Sequence, residues 1–256
     1  IRAFRAAYPD RPLIVVLTGT DVYRDLRTVP STRRALARAD LIVVLQAKAV
    51  EEVPRALRNR VHVIYQSAKP LRSTSAERKR SFDVACVGHL RAVKDPLRTA
   101  MASRGLPAAS RVRVIHAGTA LTRAMESRAM RENEQNPRYT WLGSLTTGRA
   151  RQLIAKSRIL VVSSRMEGGA NVIAEALIDR TPVIASRISG NLGMLGADYP
   201  GYFACGDTAA LTRLLWRCEN DSSFLRSLQA HCDARRPRFL EACEREALAK
   251  LLGSVF

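Results

Sequence analysis

Short runs made only of Val, Ile, Leu or Ala recur along this 256-residue chain, and most are followed by a stretch of helical periodicity. The runs at 13–17, 41–45, 159–162 and 183–185 contain no polar residue. A strand with one wet face alternates apolar and polar side chains, whereas a strand apolar at every position must be covered on both sides. Buried strands separated by helices specify parallel sheets with helices on both faces, the α/β class.

Strands are expected at 13–17, 41–45, 61–65, 82–87, 112–117, 139–142, 159–162 and 183–185. Helices are expected at 32–39, 47–57, 96–104, 120–132, 148–156, 207–217, 222–235 and 240–252, and another begins inside the segment 163–177. Between 69 and 80 the chain is polar, carries Pro70 and shows no periodicity. The pattern therefore divides into a first unit at 1–70, a linker at 71–80 and a second unit at 81–237. A final amphipathic helix at 238–256 reads as packing. Two such units place a ligand between them, at the carboxyl ends of the strands.

The formal charge is +19, with 42 Lys and Arg against 23 Asp and Glu. A field of that size attracts nucleic acid, acidic membranes or phosphorylated small molecules. The arginines are nevertheless scattered, without a dense block, and aromatic residues are only 5% of the chain. Stacking platforms for single strands are thus scarce, which argues against specific nucleic-acid binding. No run of apolar residues is long enough to span a membrane. Cys86, Cys205, Cys218, Cys232 and Cys243 form no CxxC pair, and the four histidines have no metal-ligand spacing. Reduced thiols in a cytoplasmic protein without a metal site are the expectation. His62, His116 and His231 read as structural.

Function concentrates in Ser163-Ser164-Arg165-Met166-Glu167-Gly168-Gly169-Ala170-Asn171-Val172-Ile173-Ala174-Glu175. An apolar strand runs into a glycine-bearing loop and then a helix, which sets free backbone N–H groups beside the positive end of the helix dipole. Gly168, Gly169 and Asn171 open that helix, and glycine lets backbone approach an anion closely. Glu167 is expected in the loop, with Glu175 about 12 Å further along at a rise of ~1.5 Å per residue. A carboxylate near a phosphate and another about a ribose length away suit a nucleotide-sugar. Taken singly, either glutamate also reads as a surface carboxylate.

With these residues in view the chain resembles a GT-B glycosyltransferase of the family 4 type. The E-x7-E pair Glu167/Glu175 is followed by Ala176-Leu177 and by Pro182-Val183-Ile184-Ala185-Ser186, with Arg180-Thr181 where a glycine is usual nearby. Three further segments resemble the selenosugar synthases of selenoneine biosynthesis. They are Leu17-Thr18-Gly19-Thr20-Asp21-Val22-Tyr23-Arg24-Asp25, Val87-Gly88-His89-Leu90-Arg91 with Lys94-Asp95-Pro96, and the run from Ile188 to Tyr202.

The resemblance implies two Rossmann-like, doubly wound parallel-sheet domains facing a cleft, the N-terminal one incomplete by about one βαβ unit. Weak or no turnover from this chain alone is the matching expectation. It implies transfer of a hexosyl unit from a UDP-sugar to selenophosphate, with no cofactor and no metal ion. By position Arg91 and Lys94 neutralise the donor diphosphate, after Gly88 at the strand end; two solvated basic residues are the plainer alternative. Glu175 would hold the ribose hydroxyls, and Glu167 the transferred sugar or the reaction centre. Gly190 and Asn191 begin a glycine-rich loop expected over the donor, or a simple connection. Thr18, Gly19, Thr20, Asp21, Arg24 and His89 are acceptor-side candidates. Asp21 touches the donor sugar, orients Arg24 or caps a following helix; Gln66 and Ser67 lie at the next strand end. A general family 4 transferase with a sugar or lipid acceptor, and a non-catalytic nucleotide-sugar or nucleic-acid binding module, remain alternative readings.

Overall fold

The computed structural model describes residues 1–71 and 81–255. After a short helix α1 (Arg2–Ala7), a first parallel sheet holds β1 (Ile14–Leu17), β2 (Leu41–Val44) and β3 (Val61–Val63) side by side. A π-helical turn over Asp21–Asp25 continues into α2 (Leu26–Thr28) and then α3 (Pro30–Leu36). The helix expected at 47–57 is instead two 3-10 segments, Ala47–Glu52 and Arg55–Arg60. Pro54 separates them, because it offers no N–H and its ring blocks the preceding turn.

Strand alternation sorts the side chains of β2. Ile42 and Val44 join Leu17, Val22, Leu26 and Leu36 on one face. Val43 points the other way, onto Ile64 and Leu251 from the last helix of the chain. The terminal helix thus covers the second face of the first sheet. Burial of each such side chain contributes ~1.5–3 kcal/mol.

The second sheet contains β4 (Phe82–Val87), β5 (Val112–Ala117), β6 (Tyr139–Trp141), β7 (Ile159–Val162), β8 (Val183–Ser186) and β9 (Tyr202–Phe203). Its helices are α4 (Arg98–Arg104), α5 (Arg123–Gln135), α6 (Thr147–Lys156), α7 (Asn171–Ile178), α8 (Ser189–Leu195), α9 (Thr208–Asn220) and α10 (Ser222–Arg235). A 3-10 turn at Arg236–Phe239 then leads into α11 (Glu241–Gly253). In space the strands run β6-β5-β4-β7-β8-β9, all parallel. The chain winds outward from β4 to β6, returns to lay β7 against β4, and winds the other way to β9. That reversal leaves a crevice at the carboxyl ends of β4 and β7, the place where open α/β sheets bind ligands.

The α/β class with parallel sheets expected from the apolar runs is the class observed. Two of the expectations change in detail here. The strand at 61–65 stops at Val63, and the loop expected from Gly190 begins as helix α8. The linker expected at 71–80 lies, apart from Leu71, outside the described residues. Arg180, at the site of the missing glycine, adopts a left-handed φ of +59°. It follows α7 as the turning residue, and the Thr181 N–H bonds back to the Ala176 carbonyl at 2.8 Å, a helix-ending motif that usually takes glycine.

Candidate active site

Two loops meet at the β4/β7 crevice. The first leaves β4 through Gly88, whose φ of +155° disfavours any side chain. Gly118, from the loop after β5, packs on it so closely that a Cβ there would strike the Gly88 carbonyl. Leu90, fully buried, anchors the loop, and its N–H donates to the Thr119 carbonyl at 2.9 Å. A 3-10 turn over Ala92–Lys94 then presents Lys94, whose N–H closes on the Arg91 carbonyl at 2.9 Å.

The second loop leaves β7 through Ser163 and Ser164. Lys94 Nζ reaches across to Glu167 Oε1 at 2.5 Å, and the Ser164 hydroxyl donates to the same oxygen. Glu167 is only 6% exposed, so this pair sits in a setting of low dielectric. Ser163 Oγ donates to the Asp95 carbonyl at 2.9 Å and to the Lys94 carbonyl at 3.3 Å. Asp95 has a left-handed φ of +45°, a conformation that costs a side-chain-bearing residue ~1–2 kcal/mol. Arg91 is exposed, and its guanidinium makes no ion pair among the described residues.

Beyond Glu167 the chain passes Gly168 and Gly169 into α7. No side chain caps the first turn of α7 among the described residues, whereas Thr122, Thr146, Asp207 and Asp221 cap α5, α6, α9 and α10. Asn171, its first residue, is exposed. Only from Asn171 onward is the segment helical, so the expected 12 Å helical rise between the glutamates does not apply. Glu175 lies one turn further, half-buried, and burial raises its carboxyl above the usual carboxylate range. It faces a cavity of about 230 Å³ lined also by Gly88, His89, Gly118, Thr119, Ser144 and Thr147. A narrower cleft, sharing Gly88, His89 and Val172, runs from there to Lys94 and Glu167. A larger cavity, about 550 Å³, opens on the other side of the Asp95 turn between Met101, Met125 and Arg128.

His116 borders the narrow cleft. Its ring bonds the Tyr139 hydroxyl at 2.9 Å, and burial pushes its pKa down to about 4. It is a neutral structural support under Gly88. Among the described residues no group of three His, Cys, Asp or Glu side chains is arranged to hold a metal ion.

The first sheet meets this site through the loops at the carboxyl ends of β1 and β2. A Cβ on Gly168 would lie 2.8 Å from the Gly19 Cα and 2.8 Å from the Thr18 carbonyl carbon, so two glycines permit backbone contact between the sheets' loops. Leu45 packs likewise on Gly169, and Gln46 on Gly193. The Tyr23 hydroxyl accepts from Gln46 Nε2 at 2.7 Å and donates to Ser189 Oγ at 3.2 Å, while the Tyr65 hydroxyl donates to the Gly193 carbonyl at 3.1 Å.

The structure thus brings Gly88, His89, Lys94, Glu167 and Val172 to one cleft, with Glu175 in the adjoining cavity. Thr18 and Asp21 are engaged with each other: Asp21 Oδ2 accepts from the Thr18 N–H at 2.8 Å and its hydroxyl at 2.7 Å, half of a capping box. Thr20 is half-buried beside them. Arg24 is exposed and pairs with Asp25 at 2.8 Å. Ser67 is held by Glu244 of α11, at 2.9 Å from its N–H. Gly190 and Asn191 are buried inside α8: Gly190 backs onto Glu167, and the Asn191 amide donates to the Ser186 carbonyl at 2.9 Å. The sequence reading named Ser163, Ser164, Arg165 and Asp95 within its motifs without giving them a role, and it did not single out Gly118. The serine doublet at a strand end was a usable signal, whereas the left-handed turn at Asp95 was not.

Two parallel α/β sheets, with an uncapped helix terminus at the switch point of the second, define the class of fold. Residues 68–232 match the family described as glycosyl transferases group 1, and the chain belongs to that family. Its fold is that of the GT-B structures. Anabaena HepE, solved with UDP, superposes with a TM-score of 0.84 at 19% identity over 99% of this chain and 75% of that one. A UDP-forming α,α-trehalose-phosphate synthase from Burkholderia xenovorans, solved with glucose-6-phosphate, gives 0.80 at 15% identity over 98% and 70%. S. aureus TarM gives 0.74 at 14% over 95% and 50%. A comparison with curated proteins finds no match.

Proposed function

We propose that this protein transfers a hexosyl unit, of the glucose or N-acetylglucosamine type, from a UDP-sugar to selenophosphate, giving a 1-seleno-sugar. The observation that carries the donor half is the convergence of Lys94, Glu167 and the uncapped start of α7 on one cleft, with Glu175 in the cavity that adjoins it. Similar folds solved with UDP and with UDP-glucose support the same donor. The diphosphate lies at the α7 terminus, near Lys94 and Arg91, and Glu175 receives the ribose hydroxyls. Glu167 holds hydroxyls of the transferred sugar.

In the reaction the selenium attacks the anomeric carbon, the bond from that carbon to the diphosphate oxygen breaks, and UDP departs. Water then cleaves the P–Se bond to release phosphate. Charge accumulates on the leaving UDP, and Lys94, Arg91 and the backbone N–H groups of α7 stabilise it. Those cations let the reading dispense with a divalent ion. The acceptor rests on the resemblance at 17–25, 87–96 and 188–202, supported by the backbone contact of Gly19 with Gly168, which suits a small acceptor. The five free cysteines accord with a cytoplasmic setting.

The test is UDP release from UDP-glucose and UDP-N-acetylglucosamine with selenophosphate, simple sugars, lipid acceptors or water, with and without a chelator. Selenophosphate-dependent release, unaffected by chelator and with a raised donor KM in Glu175→Gln, is expected. Release with sugar or lipid acceptors alone replaces the acceptor assignment. UDP binding without release, and unaltered by selenophosphate or any other acceptor, removes the catalytic reading.

A further inference from the structure

We infer that Asp95 is a positioning residue that locks the loop carrying Lys94 to the loop carrying Glu167. This rests on the role given above to Lys94. Asp95 holds a backbone conformation that disfavours a side chain, and such strain persists where the surroundings over-determine it. Its carboxylate does not cap α4, which begins three residues later at Arg98. Oδ2 instead accepts from Arg98 Nε at 3.0 Å and lies 3.4 Å from Arg165 Nη2. Arg98 is fixed in turn by Thr208 at 2.6 Å.

Arg165 belongs to the other loop, two residues before Glu167, and its own N–H donates to the Val93 carbonyl at 2.8 Å. Ser163 closes the join from below by donating to the Lys94 and Asp95 carbonyls. The side chains of Asp95 and Arg98 are 15% and 14% exposed, so their pair is better shielded than most surface ion pairs. Every tie flanks Lys94; Ser163 lines the cleft, whereas Asp95, Arg98 and Arg165 do not. Loss of the Asp95 charge therefore leaves the cleft lining intact while freeing the turn that aims the Lys94 ammonium.

A double-mutant cycle on UDP affinity, measured by calorimetry, tests this. Asn tolerates left-handed backbone, so Asp95→Asn removes the charge alone, and it is expected to weaken UDP binding about fivefold or more. In a Lys94→Ala background the same substitution is expected to change affinity less than about twofold, because the group it aims is gone. Arg165→Gln, at a side chain 54% exposed, cuts the tie without risk to folding and should act in the same direction. An unchanged affinity in both Asp95→Asn and Arg165→Gln, with Lys94→Ala weakened, overturns the inference alone. So does an equal loss in the two backgrounds, which marks Asp95 as merely structural. Wild-type UDP affinity in Lys94→Ala overturns the role of Lys94 and this inference together.

Discussion

Replacing Lys94 with methionine keeps most of the unbranched side chain and removes its charge, which leaves the Glu167 carboxylate buried with Ser164 alone. Breaking a fully buried ion pair costs about 3–5 kcal/mol, because one charge stays desolvated without its partner. Here the Lys94 side chain retains 24% exposure against 7% for Glu167, and Ser164 still donates, so the expected loss is about 2 kcal/mol. In urea that moves the unfolding midpoint by roughly 1 M at a slope of about 2 kcal/mol/M. Adding Glu167→Gln removes the orphaned charge, and most of the lost stability should return. Activity should not. Removing one preorganised charge-stabilising group typically costs a factor of about 10²–10³ in kcat, and the double variant has lost that group as well. Urea unfolding and UDP release, measured on wild type, Lys94→Met and Lys94→Met/Glu167→Gln, separate the two effects. A Lys94→Met protein as stable as wild type, or a double variant no more stable than the single, refutes the reasoning that these residues form a shielded charge pair.

Two further outcomes concern stability. His116 is 3% exposed and its pKa falls from 6.5 to about 4 on folding, so between those values the unfolded chain binds a proton that the folded one does not. Its contribution is complete above about pH 6.5 and declines as pH falls toward 4, by up to roughly 3 kcal/mol; His116→Gln should remove that part of the pH profile, and matching profiles for both proteins would count against a buried neutral ring. Arg180→Gly relieves a left-handed backbone at an exposed side chain and is expected to raise stability by roughly 0.5 kcal/mol, the strain relieved less the extra freedom glycine gives the unfolded chain. A lower melting temperature would show that the Arg180 side chain, 3.9 Å from Asp233, contributes more than its backbone costs.

What the sequence determined by itself was the parallel α/β architecture and the segment where chemistry gathers. Wholly apolar runs such as 159–162 demand cover on both faces, and a strand leading through Glu167-Gly168-Gly169 into a helix is a local statement about backbone N–H groups. Both follow from neighbours along the chain. At Asp21 the expected N-cap is not what forms: its carboxylate accepts from Thr18, three residues earlier, and among the described residues no N–H of the following turn bonds to it. Tertiary structure alone decided the rest. Lys94 and Glu167 are 73 positions apart and meet because β7 returns to lie beside β4. Gly19 and Gly168 touch because two sheets close on each other. Gly190, expected over a ligand, supports the Glu167 backbone from within α8. Asp95 strains its backbone where Ser163 and Arg165, 68 and 70 positions away, come to meet it. Contacts between residues remote in the chain depend on strand order and on how two sheets seat together, and neither is written in the local periodicity from which the strands themselves were read.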